Sequence, residues 1–162
     1  MRKQKGKRLI FVSRLLFIIY LMVLLFFVFI SDREVYDDYR YNLTLFKEIK
    51  RFWNYGWKLG TKAMLLNLMG NVLVFLPIGF FLPLSHNFWK NMLTATLTGY
   101  LVSLAIETTQ LYFKIGVFDV DDLLLNTIGA FLGYWLYACI RKIRRICIIN
   151  KKKDESEAPN KQ

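Results

Sequence analysis

The chain has 162 residues, of which 55% are hydrophobic and 17% aromatic, and its formal net charge is +11. The length suits one domain, but the apolar residues are too many and too clustered for an ordinary water-soluble one. Cys139 and Cys147 have no metal-ligand spacing, so we expect free thiols rather than a metal site or a disulfide framework.

Four apolar stretches have about the 20 residues that a helix needs to cross a hydrocarbon core roughly 30 Å thick. They cover residues 9–30, 63–84, 92–113 and 123–140. The first follows a basic start, as a signal peptide would, but it lacks an A-x-A-like cleavage site, so we interpret it as an uncleaved helix. The sequence therefore predicts an all-α integral membrane bundle of four transmembrane helices, with its membrane domain at residues 15–140.

Basic residues at the two ends of the chain account for the whole net charge. Residues 1–14 contain six Lys and Arg and no acid, and residues 141–162 contain eight against three acids. Basic flanks of membrane spans stay in the cytoplasm, so we expect both termini there. Attraction to anionic lipid explains these charges, and we expect no nucleic-acid partner. The tail at 141–162 is expected to be largely disordered.

This orientation makes residues 31–62 an outer loop. Apolar side chains recur there at helical spacing from Leu45 to Trp53, with charged residues between them. The pattern predicts a short amphipathic helix on the outer membrane surface, with Trp53, Tyr55 and Trp57 at the level of the headgroups. A simpler interpretation is an aromatic anchor that only sets the height of the second span.

Polar side chains gather at the outer ends of the last three predicted spans. They are amides and carboxylates: Asn67, Asn71, Glu107, Gln110, Asp119, Asp122 and Asn126. A carboxylate inside a span is costly, so such a group faces the bundle interior and has a partner. We therefore expect these residues to meet in one pocket that opens to the exterior.

Each acidic residue in this group has a chemical and a structural interpretation. Glu107 is the candidate general acid or base, and its structural alternative is an interhelical hydrogen bond. Asp119 and Asp122 could bind a cation or orient water in such a reaction, or they could instead cap the fourth helix, whose N-terminus favours negative charge. Asp121 is expected to be solvated or to be a spare member of the group. The sequence shows no metal-ligand set and calls for no cofactor.

Small residues and prolines predict how the helices pack. Gly129 and Gly133 have the four-residue spacing that allows membrane helices to approach closely. Gly70 lies beside the asparagines of the second span. Pro77 and Gly79 are expected to bend that helix in its inner half.

Three blocks of the chain, in this order, resemble the VanZ-like family of bacterial membrane proteins. They are NVLVFLPIG at 71–79, IETTQ at 106–110 and IGVFDVDDLLLNTIG at 115–129, and the resemblance covers about residues 15–140. The family's motif positions in this chain are Asn71, Pro77, Gly79, Glu107, Gln110, Asp119, Asp122, Asn126 and Gly129. Many relatives have an arginine shortly before the first aspartate, where this chain has Lys114.

The resemblance implies a multi-pass protein of the bacterial plasma membrane with a role at the cell envelope. The founding member of the family is an accessory protein associated with reduced susceptibility to teicoplanin. The resemblance therefore implies glycopeptide or lipoglycopeptide tolerance, and it implies no particular reaction.

Three functions remain open at this point. The first is a non-catalytic envelope factor whose outer pocket binds or excludes an amphiphile, such as a lipoglycopeptide, a lipid-linked wall precursor or a membrane lipid. The second is a membrane enzyme on a lipid-linked substrate, with Glu107 as acid or base. The third is a small proton-coupled carrier, for which four spans would require an oligomer. The single histidine, His86, falls on the cytoplasmic side of the predicted topology, which weakens the second function.

Overall fold

The computed structural model describes residues 2–29, 35–59 and 61–157. The described residues are mostly helical, as predicted. In chain order the elements are α1 (Arg2–Phe29), β1 (Arg40–Asn42), α2 (Lys47–Leu59), α3 (Thr61–Ser85), a 3₁₀-helix (Asn87–Lys90), α4 (Met92–Tyr112), β2 (Val117–Asp119) and α5 (Val120–Glu157). The helices α1, α3, α4 and α5 contain nearly all of the four predicted apolar stretches.

Among the described helices, three are long and apolar enough to cross a membrane. Their apolar segments are Ile10–Phe29 in α1, Leu68–Ser85 in α3 and Val120–Lys151 in α5. The helix α4 is not one of them, because threonine, serine, glutamate and glutamine interrupt its apolar residues. Four spans therefore remain a prediction, and three are supported by length and composition.

The helix α1 runs antiparallel to α3 and packs along it. The Tyr20 hydroxyl donates a hydrogen bond to the Val74 carbonyl oxygen, and the Arg14 guanidinium donates to the Ser85 carbonyl oxygen at 2.8 Å. The second contact joins the basic end of α1 to the last residue of α3. The chain therefore brings its basic start to the end of the bundle where α3 finishes.

A small apolar core lies between α1, α3 and α4. Its buried members are Leu24, Phe75, Ile78, Leu82 and Ile106. Only 6% of the apolar segment of α1 is buried within the structure. Its remaining surface is thus apolar and exposed, which is typical of a helix that faces lipid.

The most extensive contact in the bundle is between α3 and α5, which run in the same direction. A Cβ atom added at Gly129 would overlap the Val72 carbonyl oxygen, and one at Gly133 would overlap that of Leu76. Gly79 faces the α5 backbone in the same way. These glycines therefore let two helix backbones approach closely. We call this contact the α3–α5 seam.

Other expectations for α3 and α5 differ from the structure. Gly70 is not a close-packing position, because no described atom lies within 4 Å of where its Cβ would be. The helix α3 continues through Pro77 as far as Ser85, and the bend expected at Pro77 and Gly79 stays a prediction. The helix α5 continues beyond Ile140 to Glu157, through the basic segment that was expected to be disordered. Lys, Arg and Glu are good helix formers, and adding residues to an existing helix is favourable.

Two short strands were not predicted. The strands β1 and β2 pair in parallel, with Arg40 opposite Val117 and Asn42 opposite Asp119. Three residues are too few to show an alternating pattern that the sequence could reveal. The pairing matters because it fixes the segment before α2 against the start of α5.

Candidate functional site

A cavity of about 1010 Å³ lies where α5 begins and where α1 and α4 end, beside the middle of α3. Six of the seven polar residues predicted to meet line this cavity: Asn71, Glu107, Gln110, Asp119, Asp122 and Asn126. The side chain of the seventh, Asn67, lies outside the part of the chain that the structure describes. An apolar wall is formed by Leu24, Val28, Val74, Phe75 and Ile106. Segment 36–51, which includes β1 and the start of α2, forms the remaining wall.

A direct contact joins α3 to α5 at the cavity. The Asn71 side-chain amide donates a hydrogen bond to the Asp122 carboxylate, with a distance of 2.5 Å between Nδ2 and Oδ1. Asp122 lies in the first turn of α5, where the helix N-terminus favours an anion. The two motif positions thus form one interhelical pair.

Glu107 lies on α4 and is 5% exposed. Its carboxylate accepts a hydrogen bond from the backbone N–H of Asp119, at 3.1 Å from Oε2. This contact ties α4 to the turn that begins α5. The structural interpretation of Glu107 therefore has a specific basis, while the same side chain also lines the cavity.

Asp119 connects three segments of the chain. Its carboxylate accepts the backbone N–H of Asp121 at 2.8 Å, which is the geometry of an N-cap. Both carboxylate oxygens also lie 3.1 Å from the side-chain amide nitrogen of Asn42. The capping role foreseen for Asp119 is present, and a contact to Asn42 of β1 is added to it.

The expectation that Asp121 is solvated or spare is wrong, because its side chain is fully buried. The carboxylate accepts backbone N–H groups from Phe46, at 2.5 Å, and from Glu48, at 2.8 Å. These donors belong to the start of α2, so Asp121 caps a helix that is distant in sequence. Phe46 has a left-handed φ of 63°, which costs an L-residue roughly 1–2 kcal/mol. The two bonds to Asp121 help to hold that conformation.

Asn126 and Gln110 use their amide groups to join helices. The Asn126 amide donates to the Ser103 hydroxyl on α4 at 2.8 Å, and the Gln110 amide donates to the Val28 carbonyl oxygen on α1 at 3.3 Å. The Oδ1 atom of Asn126 is buried and has no hydrogen-bond partner among the described residues. Ser103 was not predicted, although it lies one helical turn before Glu107 on the buried face of α4.

The cavity is also lined by basic residues that were not predicted to lie there. Arg40, Lys47 and Arg51 line it. The Arg40 guanidinium lies 4.1 Å from the centre of the Tyr36 ring, which is a cation–π contact. Arg51 forms an ion pair of 3.6 Å with Glu48. The family's motif has an arginine shortly before Asp119 that this chain lacks. In the structure, a guanidinium reaches the cavity from Arg40 of β1.

Lys114 and His86 have other roles. The Lys114 ammonium group donates to the Asp37 carbonyl oxygen at 2.5 Å and so supports the loop before β1. His86 accepts the backbone N–H of Phe88 through Nδ1 and caps the 3₁₀-helix. That helix follows the end of α3, at the opposite end of the bundle from the cavity. Within residues 2–29, 35–59 and 61–157 there is no group of three or more His, Cys, Asp or Glu side chains suited to a metal ion.

Comparison with known proteins gives one family and one relative. The VanZ/LLP1 family model matches residues 17–141. Protein VanZ of Enterococcus faecium is 38% identical to this chain over 76 residues, which cover 46% of this chain and 46% of that protein. The match therefore spans about half the length of the relative. No solved structure is significantly similar to the chain.

Proposed function

The chain belongs to the VanZ/LLP1 family, and from this premise we propose that it is a multi-pass protein of the bacterial plasma membrane whose cavity binds an amphiphile at the cell envelope. We further propose that this binding contributes to tolerance of teicoplanin-type glycopeptides and lipoglycopeptides. The occupant would be the acyl chain and adjoining polar group of the antibiotic, which the cavity would sequester, or the same parts of a lipid-linked wall precursor, which it would shield.

The distribution of charge supports an outward-facing cavity. The basic start of α1 and the basic end of α5 both lie at the end of the bundle opposite the cavity. Basic residues that flank spans remain in the cytoplasm, so the cavity would open toward the exterior. The helix α4 would be the fourth span, because its buried polar residues face the protein interior.

The exposed aromatic residues of the outer segment fit the same orientation. Trp53 on α2 is 83% exposed, and Tyr55 is also exposed. Tryptophan and tyrosine concentrate at the headgroup level of membranes. The helix α2 would then lie at the outer surface and carry one wall of the cavity.

The observation that carries the proposal is the contrast between the two sides of the cavity. One side is apolar and comes from α1, α3 and α4, through residues such as Leu24, Phe75 and Ile106. The other side carries carboxylates, amides, basic groups and tyrosines. The volume of about 1010 Å³ suits a ligand at the upper end of the usual range for small-molecule sites. A molecule with an acyl chain and a polar headgroup matches both sides.

The proposal is tested by antibiotic susceptibility in cells that carry the wild-type protein, Glu107→Gln, Asp122→Asn or the double variant Asp119→Ala/Asp122→Ala. We expect the double variant to lose the tolerance, because it removes two carboxylates of the polar wall and the partners of Asn42 and Asn71. We expect Glu107→Gln to keep it, since glutamine can still accept the Asp119 N–H. Immunoblots of membrane fractions establish that each variant accumulates normally.

The same strains distinguish binding from catalysis. Glutamine cannot exchange a proton, so an enzyme that uses Glu107 as acid or base would lose its activity in Glu107→Gln. Envelope lipids are profiled in parallel. Loss of tolerance in Glu107→Gln at normal protein levels, together with accumulation of one lipid species, would contradict the binding function and favour the enzyme.

A further inference from the structure

Hydrogen-bond acceptors without matching donors concentrate on one face of α5 at the cavity. Asp122 and Asn126 are four residues apart, so their side chains lie on the same helical face. Asn71 is the one described residue that donates to the Asp122 side chain. No described Lys or Arg forms an ion pair with Asp122 or with Asp119.

Asn126 gives an independent sign of a missing partner. It is 4% exposed, it lines the cavity, and its amide nitrogen is already committed to Ser103. Its Oδ1 atom has no hydrogen-bond partner in the described structure. A buried polar atom without a partner is costly, so this position calls for a donor that the described residues do not supply.

The three basic residues of the cavity, Arg40, Lys47 and Arg51, all lie on the wall formed by segment 36–51. Arg51 pairs with Glu48, and Arg40 stacks on Tyr36, both on the wall formed by segment 36–51. The face of α5 that carries Asp122 and Asn126 is therefore negative and rich in acceptors. The group that matches it has a positive charge and several N–H donors, which describes a protonated primary amine.

We propose that the amphiphile bound in the cavity carries a protonated primary amine, which lies between Asp122 and Asn126 while its alkyl chain follows the apolar wall. This inference rests on the proposed function and names the headgroup class. The ammonium group would donate to the Asp122 carboxylate and to the Asn126 Oδ1 atom. Two sources have this chemistry: an aminolipid of the bilayer and the amine of a lipoglycopeptide.

The test measures binding of three simple probes to the full chain in nanodiscs that contain only phosphatidylglycerol. Dodecylammonium has a positive charge and three N–H donors, dodecyltrimethylammonium has the charge without a donor, and dodecanol has one O–H donor without a charge. We expect dodecylammonium to bind at least about tenfold more tightly than either of the others, because only it supplies both interactions. Asp122→Asn should remove about tenfold of this affinity and leave dodecanol binding unchanged.

Dodecanol binding also controls for folding, because it reports whether the apolar wall is intact in the variant. The exposed acid Asp37, which does not line the cavity, provides the matched control, and Asp37→Asn should bind all three probes as the wild type does. Equal affinity for dodecylammonium and dodecanol would overturn the amine assignment and leave the amphiphile function standing. Binding of no probe at all would overturn both.

Competition then separates the two sources. Adding phosphatidylethanolamine to the nanodisc should displace dodecylammonium if the occupant is a bilayer aminolipid. Displacement by a lipoglycopeptide, but not by its N-acetylated form, would identify the antibiotic amine. Displacement by neither compound, or equal displacement by the acetylated form, would overturn the assignment.

Discussion

The interface between α3 and α5 changes character along its length. At Gly129 and Gly133 the two backbones approach so closely that a Cβ atom would overlap a carbonyl oxygen. Nearer the start of α5, the same helices are joined by the Asn71–Asp122 hydrogen bond, and the space beside it widens into the cavity. Close packing at Gly129 and Gly133 therefore positions the polar side chains of Asn71 and Asp122 at the cavity.

The two regions also differ in how they are held. The seam depends on direct contact between two helix backbones, which leaves no room for an added side-chain atom. The cavity wall formed by segment 36–51 is attached to α5 mainly through polar contacts, at Asp119 with Asn42 and at Asp121 with the start of α2. Regions with few apolar contacts open at lower free energy than packed cores. The wall is therefore expected to open more readily than the seam.

Disruption of the seam should have the largest effect. Gly133→Ala places a methyl group against the Leu76 carbonyl oxygen, and we expect it to lower the free energy of unfolding by about 3 kcal/mol or more, since backbone atoms cannot move aside as side chains do. The measurement is thermal unfolding of the purified protein in detergent, with the folded fraction read by gel filtration.

Gly70→Ala is the matched control for the seam. It makes the same change in α3, where no described atom lies within 4 Å, so alanine should be neutral or should stabilise the helix by up to about 1 kcal/mol. Equal losses of stability in Gly70→Ala and Gly133→Ala would show that the two helices are not held by close backbone contact.

Loosening the wall should have a smaller and more local effect. Asp121→Ala leaves the N–H groups of Phe46 and Glu48 without their acceptor, and hydrogen bonds to charged groups contribute about 1.5–3 kcal/mol. We expect hydrogen exchange of α2 to rise roughly 100-fold while exchange in the seam stays unchanged.

The neighbouring residue provides the contrast for that experiment. Asp122→Asn can still accept from Asn71 and removes no hydrogen bond to the described residues of α2, so exchange of α2 should remain at the wild-type rate. Faster exchange throughout α3 and α5 in Asp121→Ala would mean that the wall and the seam unfold together, and the distinction between them would fail.

The seam was largely predictable because its signal is local. The four-residue spacing of Gly129 and Gly133 is visible in a single helix, and helix positions followed from the apolar stretches. The polar ends of the helices were also visible, since amides and carboxylates stand out in apolar sequence. Ser103 could have been found in the same way, from its position one turn before Glu107.

The wall was not predictable because its contacts join distant parts of the chain. Arg40 reaches the cavity through a three-residue strand pairing, and Asp121 caps a helix that lies more than 60 residues earlier. Nothing in the local sequence distinguishes Asp121 from Asp122, although one is fully buried against α2 and the other faces the cavity. Partner identity, rather than residue type, decides the role of each aspartate.

The smallest expected effect concerns α1, which belongs neither to the α3–α5 seam nor to the wall formed by segment 36–51. Tyr20→Phe removes the hydrogen bond to the Val74 carbonyl oxygen, and interhelical bonds of this kind contribute about 0.6 kcal/mol on average in membranes. We expect the unfolding midpoint to fall by about 1–2 °C. Tyr100→Phe, at an exposed position on α4, should leave it unchanged. If Tyr20→Phe lowered the unfolding midpoint by as much as Asp121→Ala does, a polar contact, rather than apolar packing around Leu24, would hold α1 in place.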